Sequence, residues 1–541
     1  LKGSNGPGCL VDQDRSDLNA NAARPMDLRM AQPLIDGPQP AVAESTDTGP
    51  AGEIEWRVAP RTLAVGATLL AAALALFHLG HKSFWLDEGY SIGHASLPWS
   101  QFWTVLTERE PNGALHALIL FGWIRVGDAE WWLRLPSTVF AVATVPLLYL
   151  LLKRLFDERV GALAAVLLAL NGFSLQFAQE ARAYSSLMVM ATASALCFVA
   201  YLQDQRRGQW WTWVAVTALL PYTHLFGGLI IGVEVLGALF YRGSHLRPPR
   251  RLVTGFAIIG AVSAVMMVLL LTGEDEGQAV GIPGVSIVRY VGVYARVVGN
   301  LGVVLLAVVG LLWLSTTVSH LRDLRPLRPF RPTQGQWGFL FLAAWLVLPP
   351  VAVALATPIM PLFGARYFVL LVPAASAMTA LALRTLPKGT LRTIATAVVV
   401  LLTAGGSLAW YLQPPADDVR AAAAVLAPSV EPGDAIVFLP WFMKLPLDPY
   451  VERDDVLQAD LESTWPAVPW GEFLADHADH PRDTDLTRAI DHDRVWLVVR
   501  DDHTAEDARD FAAYRRLLEP DHRLADHIDL EGVDVWLYER G

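Results

Sequence analysis

The chain has 541 residues, 53% of them hydrophobic and only 18% charged, with a mean hydropathy of +0.36. Runs of about 18 to 22 apolar residues recur through the first three quarters, which excludes an ordinary water-soluble domain and predicts a polytopic α-helical membrane protein. The formal charge of −11 is carried by the tail, where 29 acids face 12 bases after Tyr411; so acidic a segment argues against nucleic acid as a partner.

Residues 1–58 are rich in Pro, Asp, Ala and Gly without periodicity and predict a disordered leader. A transmembrane domain, 59–411, follows. Its first apolar run is about Thr62 to Gly80. Further runs begin near Leu133, Gly161, Ala183, Trp210, Leu225, Leu252, Leu301, Trp337, Tyr367 and Leu391, which makes about eleven spans. The basic connections Leu152–Arg159, Asp204–Gln209, Tyr241–Arg251, Ser319–Pro332 and Arg384–Arg392 then all fall on one side. The positive-inside rule makes that side cytoplasmic, with the N-terminus inside and the C-terminus outside the cytoplasmic membrane. This requires that Pro111–Gly127 does not cross. Short and interrupted by His116, it reads as an interfacial helix within one long outer loop, 81–130. Residues 412–541 predict a small extracytoplasmic α/β domain: helix, turn and strand over Asp417–Pro440, a strand at Asp493–Val499, a helix at Phe511–Glu519 and a closing strand at Val533–Glu539.

On this topology the outer connections carry groups that solvated loops do not need. They are Asp87 and Glu88 in "KSFWLDEGYS", then Glu110, Asn112 and His116, then Glu180, Arg182 and Tyr184 in "QEARAYS". His224 in "PYTH" and Arg366 with Tyr367 in "PLFGARYF" complete the set. Ionisable groups at a bilayer are costly and usually line a functional cavity or pair with one another. The combination suits group transfer from a lipid-linked phosphate donor. Arginine forks bind the oxygens of a departing phosphate, and a carboxylate takes the proton of an acceptor hydroxyl. Two adjacent acids resist ionising together, which keeps one more basic. Asp87 is the expected base, with Glu88 tuning or holding the site. Blander roles exist for each residue alone: helix N-capping for Asp87 and Glu88, snorkelling for Arg182 or Arg366, and a structural histidine at 224. "DHADH" (Asp476–His480) reads as solvated surface rather than a metal site. The joint occurrence at one membrane face is what points to a site.

"FWLDEGYS", followed by "EPNGALHALILFGWIRVGDAEWWLRLPSTVFAVATVPLLYLLLKRLF" and later by "QFAQEARAYSSLM", "YTHLFG" and "ARYFVLLVPA", resembles the GT-C glycosyltransferases. The nearest branch is that of protein O-mannosyltransferases and lipid A aminoarabinose transferases, including bacterial members labelled mannosyltransferase. The resemblance covers about Thr62 to Trp410. It implies the GT-C fold, a polyprenyl-phosphate sugar donor, and inverting transfer outside the cytoplasmic membrane. The acid of the first outer loop, here Asp87, would be the base. It also places Glu180 and Arg182 near donor or acceptor, and Arg366, with Tyr367 beside it, at the donor phosphate. Relatives commonly show His-Pro-Pro where this chain has Glu110-Pro111-Asn112, so the substrate contact there stays open. Some GT-C enzymes use a divalent metal. The mannosyltransferase branch generally does not, no second Asp-rich motif is present, and no cofactor is expected.

The expected function is therefore transfer of a sugar, mannose first and arabinofuranose second, to a hydroxyl of a glycan, lipid or protein acceptor. Two other classes compete. A lipid or sugar transporter predicts mid-span ionisable residues, of which Glu234 is the main one, and repeat symmetry between halves. A non-catalytic scaffold predicts that Asp87 is dispensable.

Overall fold

The computed structural model describes residues 58–241, 249–272, 287–299, 333–357, 364–431, 433–439, 443–451, 490–500 and 507–541, all within one compact unit, Ile54–Gly541. The predicted leader up to residue 57, the run near Leu301, the basic stretch Ser319–Pro332 and the Asp476–His480 stretch lie outside them.

Among the described residues, six helices are long and apolar enough to cross a membrane: Glu130–Leu155, Tyr184–Asp204, Arg251–Thr272, Gln334–Ala356, Ala365–Thr385 and Thr390–Leu412. Each falls on a predicted run. The shorter apolar helices Pro60–Leu76 and Gly227–Phe240 fall on two more. The run near Gly161 is not one straight span but two helices, Glu158–Ala169 and Gly172–Ala178, bent by 61°. The bend has a local cause: Asn171 caps the second helix, its side-chain oxygen accepting the Ser174 N–H at 2.9 Å. Ala114–Trp123 is a ten-residue helix, about 15 Å long at 1.5 Å per residue. That is half the hydrocarbon thickness, in keeping with a helix that does not cross.

Prolines inside these helices free carbonyls that other segments use. Pro136 lies inside Glu130–Leu155 and cannot donate to the carbonyl four residues earlier. That carbonyl, Trp132 O, accepts from Trp123 Nε1 at 2.8 Å, which ties the short helix Ala114–Trp123 to the span. Pro350 lies inside Gln334–Ala356 and leaves Leu346 O for the Tyr294 hydroxyl at 2.6 Å.

Among the described residues, the basic connections Leu152–Arg159, Asp204–Gln209 and Arg384–Arg392 meet at one end of the bundle. Arg154 pairs with Asp204 at 3.2 Å, Lys153 with Glu158 at 2.6 Å, and Arg384 with Asp157 at 3.6 Å. Arg134, Tyr184 and Arg366 start the same helices, Glu130–Leu155, Tyr184–Asp204 and Ala365–Thr385, at the opposite end.

The tail forms a four-stranded sheet in the order β1-β2-β4-β3, with β1 Ala435–Leu439, β2 Arg494–Arg500, β3 His522–Leu530 and β4 Val533–Arg540. β1 and β2 are parallel; β2–β4 and β3–β4 are antiparallel. One face packs on helix Val419–Ser429 through Ile436, Trp496 and Val535 against Ala422 and Leu426. The other packs Val437, Leu497 and Tyr538 on Tyr514 and Leu518 of helix Asp507–Leu518. Three strands and both of these helices match the sequence reading. β3 does not appear there, nor does helix Lys444–Val451.

Gly172 sits where the bent pair crosses the last span, and a Cβ there would lie 2.3 Å from Gly406 O. Gly172→Ala is expected to cost about 1–3 kcal/mol by overpacking and to lower the melting temperature in detergent. Gly122→Ala, whose Cβ would meet open space, is the control and should leave it unchanged.

Candidate active site

The loop that carries Asp87 and Glu88 and the loop that carries Glu180 and Arg182 converge on the N-terminal turns of helix Glu130–Leu155. Arg134 is 2% exposed and grips Glu88 with a two-pronged fork, Nε to Oε1 at 2.8 Å and Nη2 to Oε2 at 2.7 Å. Its remaining donors hold the carbonyls of Leu79 at 3.0 Å, Lys82 at 2.8 Å and Ser83 at 3.1 Å. Glu88, wholly buried, also accepts the Ala181 N–H at 2.8 Å. Two hydroxyls from the same helix finish the second loop: Thr138 donates to Ala178 O at 2.8 Å and Ser137 to Arg182 O at 3.1 Å.

Glu88 therefore holds the site and does not face a reactant. Of tuning and holding, the two roles expected for Glu88 beside the base Asp87, holding is the one these contacts support. The capping alternative is also partly right: both acids lie in the first turn of helix Leu86–Ser96, and Glu88 Oε2 accepts the Trp85 N–H at 3.5 Å.

Asp87 points the other way. Its Oδ2 accepts from the Tyr184 hydroxyl at 3.1 Å, pairs with Arg366 Nη1, and lies 3.7 Å from Arg182 Nη2. Arg182 Nη1 further donates to Asp87 O at 3.1 Å and to Ser91 Oγ at 2.7 Å. The Arg366 guanidinium sits between the rings of Trp85 and Tyr367, 5.6 and 5.8 Å from their centroids. Tyr367 in turn packs on Phe226 and His224 at 4.7 and 5.0 Å. Four sequence-separated segments thus bring Asp87, Arg182, Tyr184, His224, Arg366 and Tyr367 together, as the sequence reading expects. Asp87, Arg182 and Arg366 keep partial exposure, with side chains 15%, 24% and 35% exposed.

The other candidates fall into place around this cluster. Asn112 uses its side-chain oxygen on the Leu225 N–H at 2.9 Å, fixing the turn that carries His224. Glu110 lies within electrostatic reach of Arg182. His224 is buried, and its Nδ1 accepts the Phe226 N–H at 3.2 Å. Burial, then the charges of Arg182 and Arg366, push its pKa down to about 3. His116 lies beside the Ala181 backbone, but neither ring nitrogen reaches hydrogen-bond geometry. Burial and the Arg182 charge push it down to about 4. Glu180 accepts from Gln176 Nε2 at 3.0 Å through Oε1, while Oε2 is buried without a partner. Burial, then the Glu88 and Asp87 charges, push its carboxyl up to about 8. Burial thus favours the neutral form of both histidines and of Glu180.

Glu234, the mid-span acid on which a transport reading depends, is wholly buried and bonded on both oxygens. Ser194 donates to Oε1 at 2.5 Å and Trp213 to Oε2 at 2.8 Å. It clamps three helices together. Among the described residues, no group of three or more His, Cys, Asp or Glu side chains could hold a metal ion.

Residues 113–272 match the family described as dolichyl-phosphate-mannose-protein mannosyltransferase. Among solved structures, the chain is similar to ArnT from Cupriavidus metallidurans in the apo state. Identity is 14% over 89% of this chain and 98% of that one, with a TM-score of 0.59. It is also similar to the same protein bound to undecaprenyl phosphate, at 14% identity over 88% and 98% of the two chains and a TM-score of 0.55. No curated protein sequence matches. The chain thus shares the fold of ArnT, and its segment 113–272 carries the sequence pattern of that mannosyltransferase family.

Removing either partner of the buried fork leaves a charge uncompensated. Arg134→Ala and Glu88→Gln are each expected to cost about 3–5 kcal/mol, read as a loss of melting temperature in detergent. Glu180 gives a pH signature of opposite origin. Its pKa is raised on folding, so its contribution is complete below about 4.5 and is lost as pH rises through about 8. Glu180→Gln should flatten the decline in thermal stability across that window; an unchanged decline would assign it to other groups.

Proposed function

We propose that the protein transfers a sugar, mannose first, from a polyprenyl-phosphate donor to an acceptor hydroxyl at the outer face of the cytoplasmic membrane, with inversion. The observation that carries this reading is a partly exposed carboxylate, Asp87, bracketed by Arg366 and Arg182 at one membrane face. Asp87 takes the hydroxyl proton as the acceptor oxygen attacks the anomeric carbon. The bond from that carbon to the phosphate oxygen breaks, and its electron pair leaves with the polyprenyl phosphate. Arg366 and Arg182 stabilise the charge that develops there.

Arg366 and Tyr184 engage the carboxylate, and a carboxylate so engaged is a poor base. A donor phosphate competes for the same guanidinium groups, so binding the substrate exposes the base. The similar structure of ArnT bound to undecaprenyl phosphate supports a lipid phosphate as the ligand of this fold. The meeting of the basic connections at the end opposite Asp87 supports the orientation, since basic connections stay cytoplasmic. The acceptor is a glycan, lipid or protein hydroxyl, and no metal takes part.

The test is transfer by purified protein in native lipids from a panel of radiolabelled polyprenyl-phosphate sugars to membrane acceptors, in EDTA. Wild type should use one donor, mannose before arabinofuranose. Asp87→Asn should bind that donor and lose about 10²- to 10⁴-fold in kcat, and Arg366→Ala should raise the donor Kd about 10- to 100-fold. Equal transfer by wild type and Asp87→Asn would remove Asp87 as the base.

A further inference from the structure

The six residues that lead into the Asp87 helix, 79–84, are held from two sides. From the membrane helix, Arg134 takes the carbonyls of Leu79, Lys82 and Ser83. From the tail, Arg420 of helix Val419–Ser429 takes Gly80 O at 3.1 Å and His81 O at 3.2 Å. Ser83 Oγ reaches Asp417 O at 2.6 Å, and the Phe84 N–H donates to the Tyr450 hydroxyl at 2.7 Å. The Tyr450 hydroxyl in turn donates a hydrogen bond to Glu130, which also pairs with Arg420.

The contact continues along the catalytic helix itself. A Cβ at Gly89 would lie 2.5 Å from Leu445 O and Pro446 N. Only glycine lets the backbone of helix Lys444–Val451 come so close, two residues from Asp87. Tyr450 packs beside Phe84, with centroids 5.5 Å apart, against the cluster of Phe84, Ile92, Leu120 and Leu133. Leu445 and Leu447 of the same helix are buried.

We infer that helix Lys444–Val451 of the tail is part of the catalytic apparatus: docked on Gly89 and bonded through Tyr450, it sets the position of Asp87. Tyr450 and Gly89 are positioning residues, since neither touches the carboxylate. The tail is thereby given a part in positioning the base. The inference rests on Asp87 as the base, and displacing a reacting group by about 1 Å is enough to cost about 100-fold in rate.

The experiment uses the full chain in lipid nanodiscs as wild type, Tyr450→Phe, Gly89→Ala and Asp87→Asn. Two quantities are read: backbone amide exchange of residues 84–96 by mass spectrometry, and kcat with donor KM. Tyr450→Phe keeps the ring and removes one hydroxyl, so it stays folded even where Gly89→Ala does not. The inference predicts faster exchange confined to 84–96 in Tyr450→Phe, with kcat lowered about tenfold or more and donor KM within twofold of wild type. Wild-type exchange at 84–96 would overturn it, as would faster exchange with unchanged kcat, the mark of a merely structural contact. Full activity in Asp87→Asn would instead overturn the base assignment, a result distinguishable because amide exchange needs neither donor nor acceptor.

Discussion

A buried ion pair between Arg134 and Glu88 organises this molecule. Arginine is always charged and brings five donors in a rigid fork. Sealed into the start of a membrane helix, it must find acceptors for all of them, and it finds two carboxylate oxygens and three carbonyls of one loop. The loop has no freedom to take another path without stranding a donor. Glu88 is committed in the same way, and its bond to the Ala181 N–H ties the second outer loop to the first. Asp87, next in the chain, is left facing Arg182, Tyr184 and Arg366. Two adjacent acids thus acquire opposite fates. One is spent on structure, and the other is kept at the surface of the cluster with cations that a phosphate can claim.

The surrounding groups keep that site from accumulating charge. Burial penalises the ionised forms of His116, His224 and Glu180 and favours their neutral forms. An incoming anion then meets Arg182 and Arg366, opposed by Asp87 and Glu110. The singly charged phosphodiester of the proposed donor competes with those carboxylates for the two guanidinium groups. On the proposed mechanism an acceptor hydroxyl meets a free carboxylate once the arginines have turned to the phosphate.

Much of this was legible in the sequence because it rests on features the membrane enforces. Apolar runs of a fixed length mark the helices, and residues such as Arg182 and Arg366 stand out since charge at a bilayer needs a reason. Arg134 carried the same signal, a charge within "WWLRLPSTVF", but sat in what reads as an ordinary span start. Its role depends on a contact 46 residues away, and no local pattern encodes that. The bend at Asn171 is hidden because hydropathy averages over it. β3 is hidden because it is an edge strand whose side chains are mostly exposed, so the apolar alternation that marks a half-buried strand is missing. Helix Lys444–Val451 carries Pro449 inside it, which reads as a break. Its importance comes from Gly89, whose glycine looks incidental until a backbone is found against it.

The account turns on Arg366 leaving Asp87 when donor arrives. The most direct measurement is a structure of the protein with a bound polyprenyl phosphate at a resolution that shows side chains. The account predicts an Arg366 guanidinium nitrogen within about 3 Å of a phosphate oxygen, with the Asp87 carboxylate released toward the open side of the cluster. A phosphate bound elsewhere, with the Asp87–Arg366 pair intact, would contradict it.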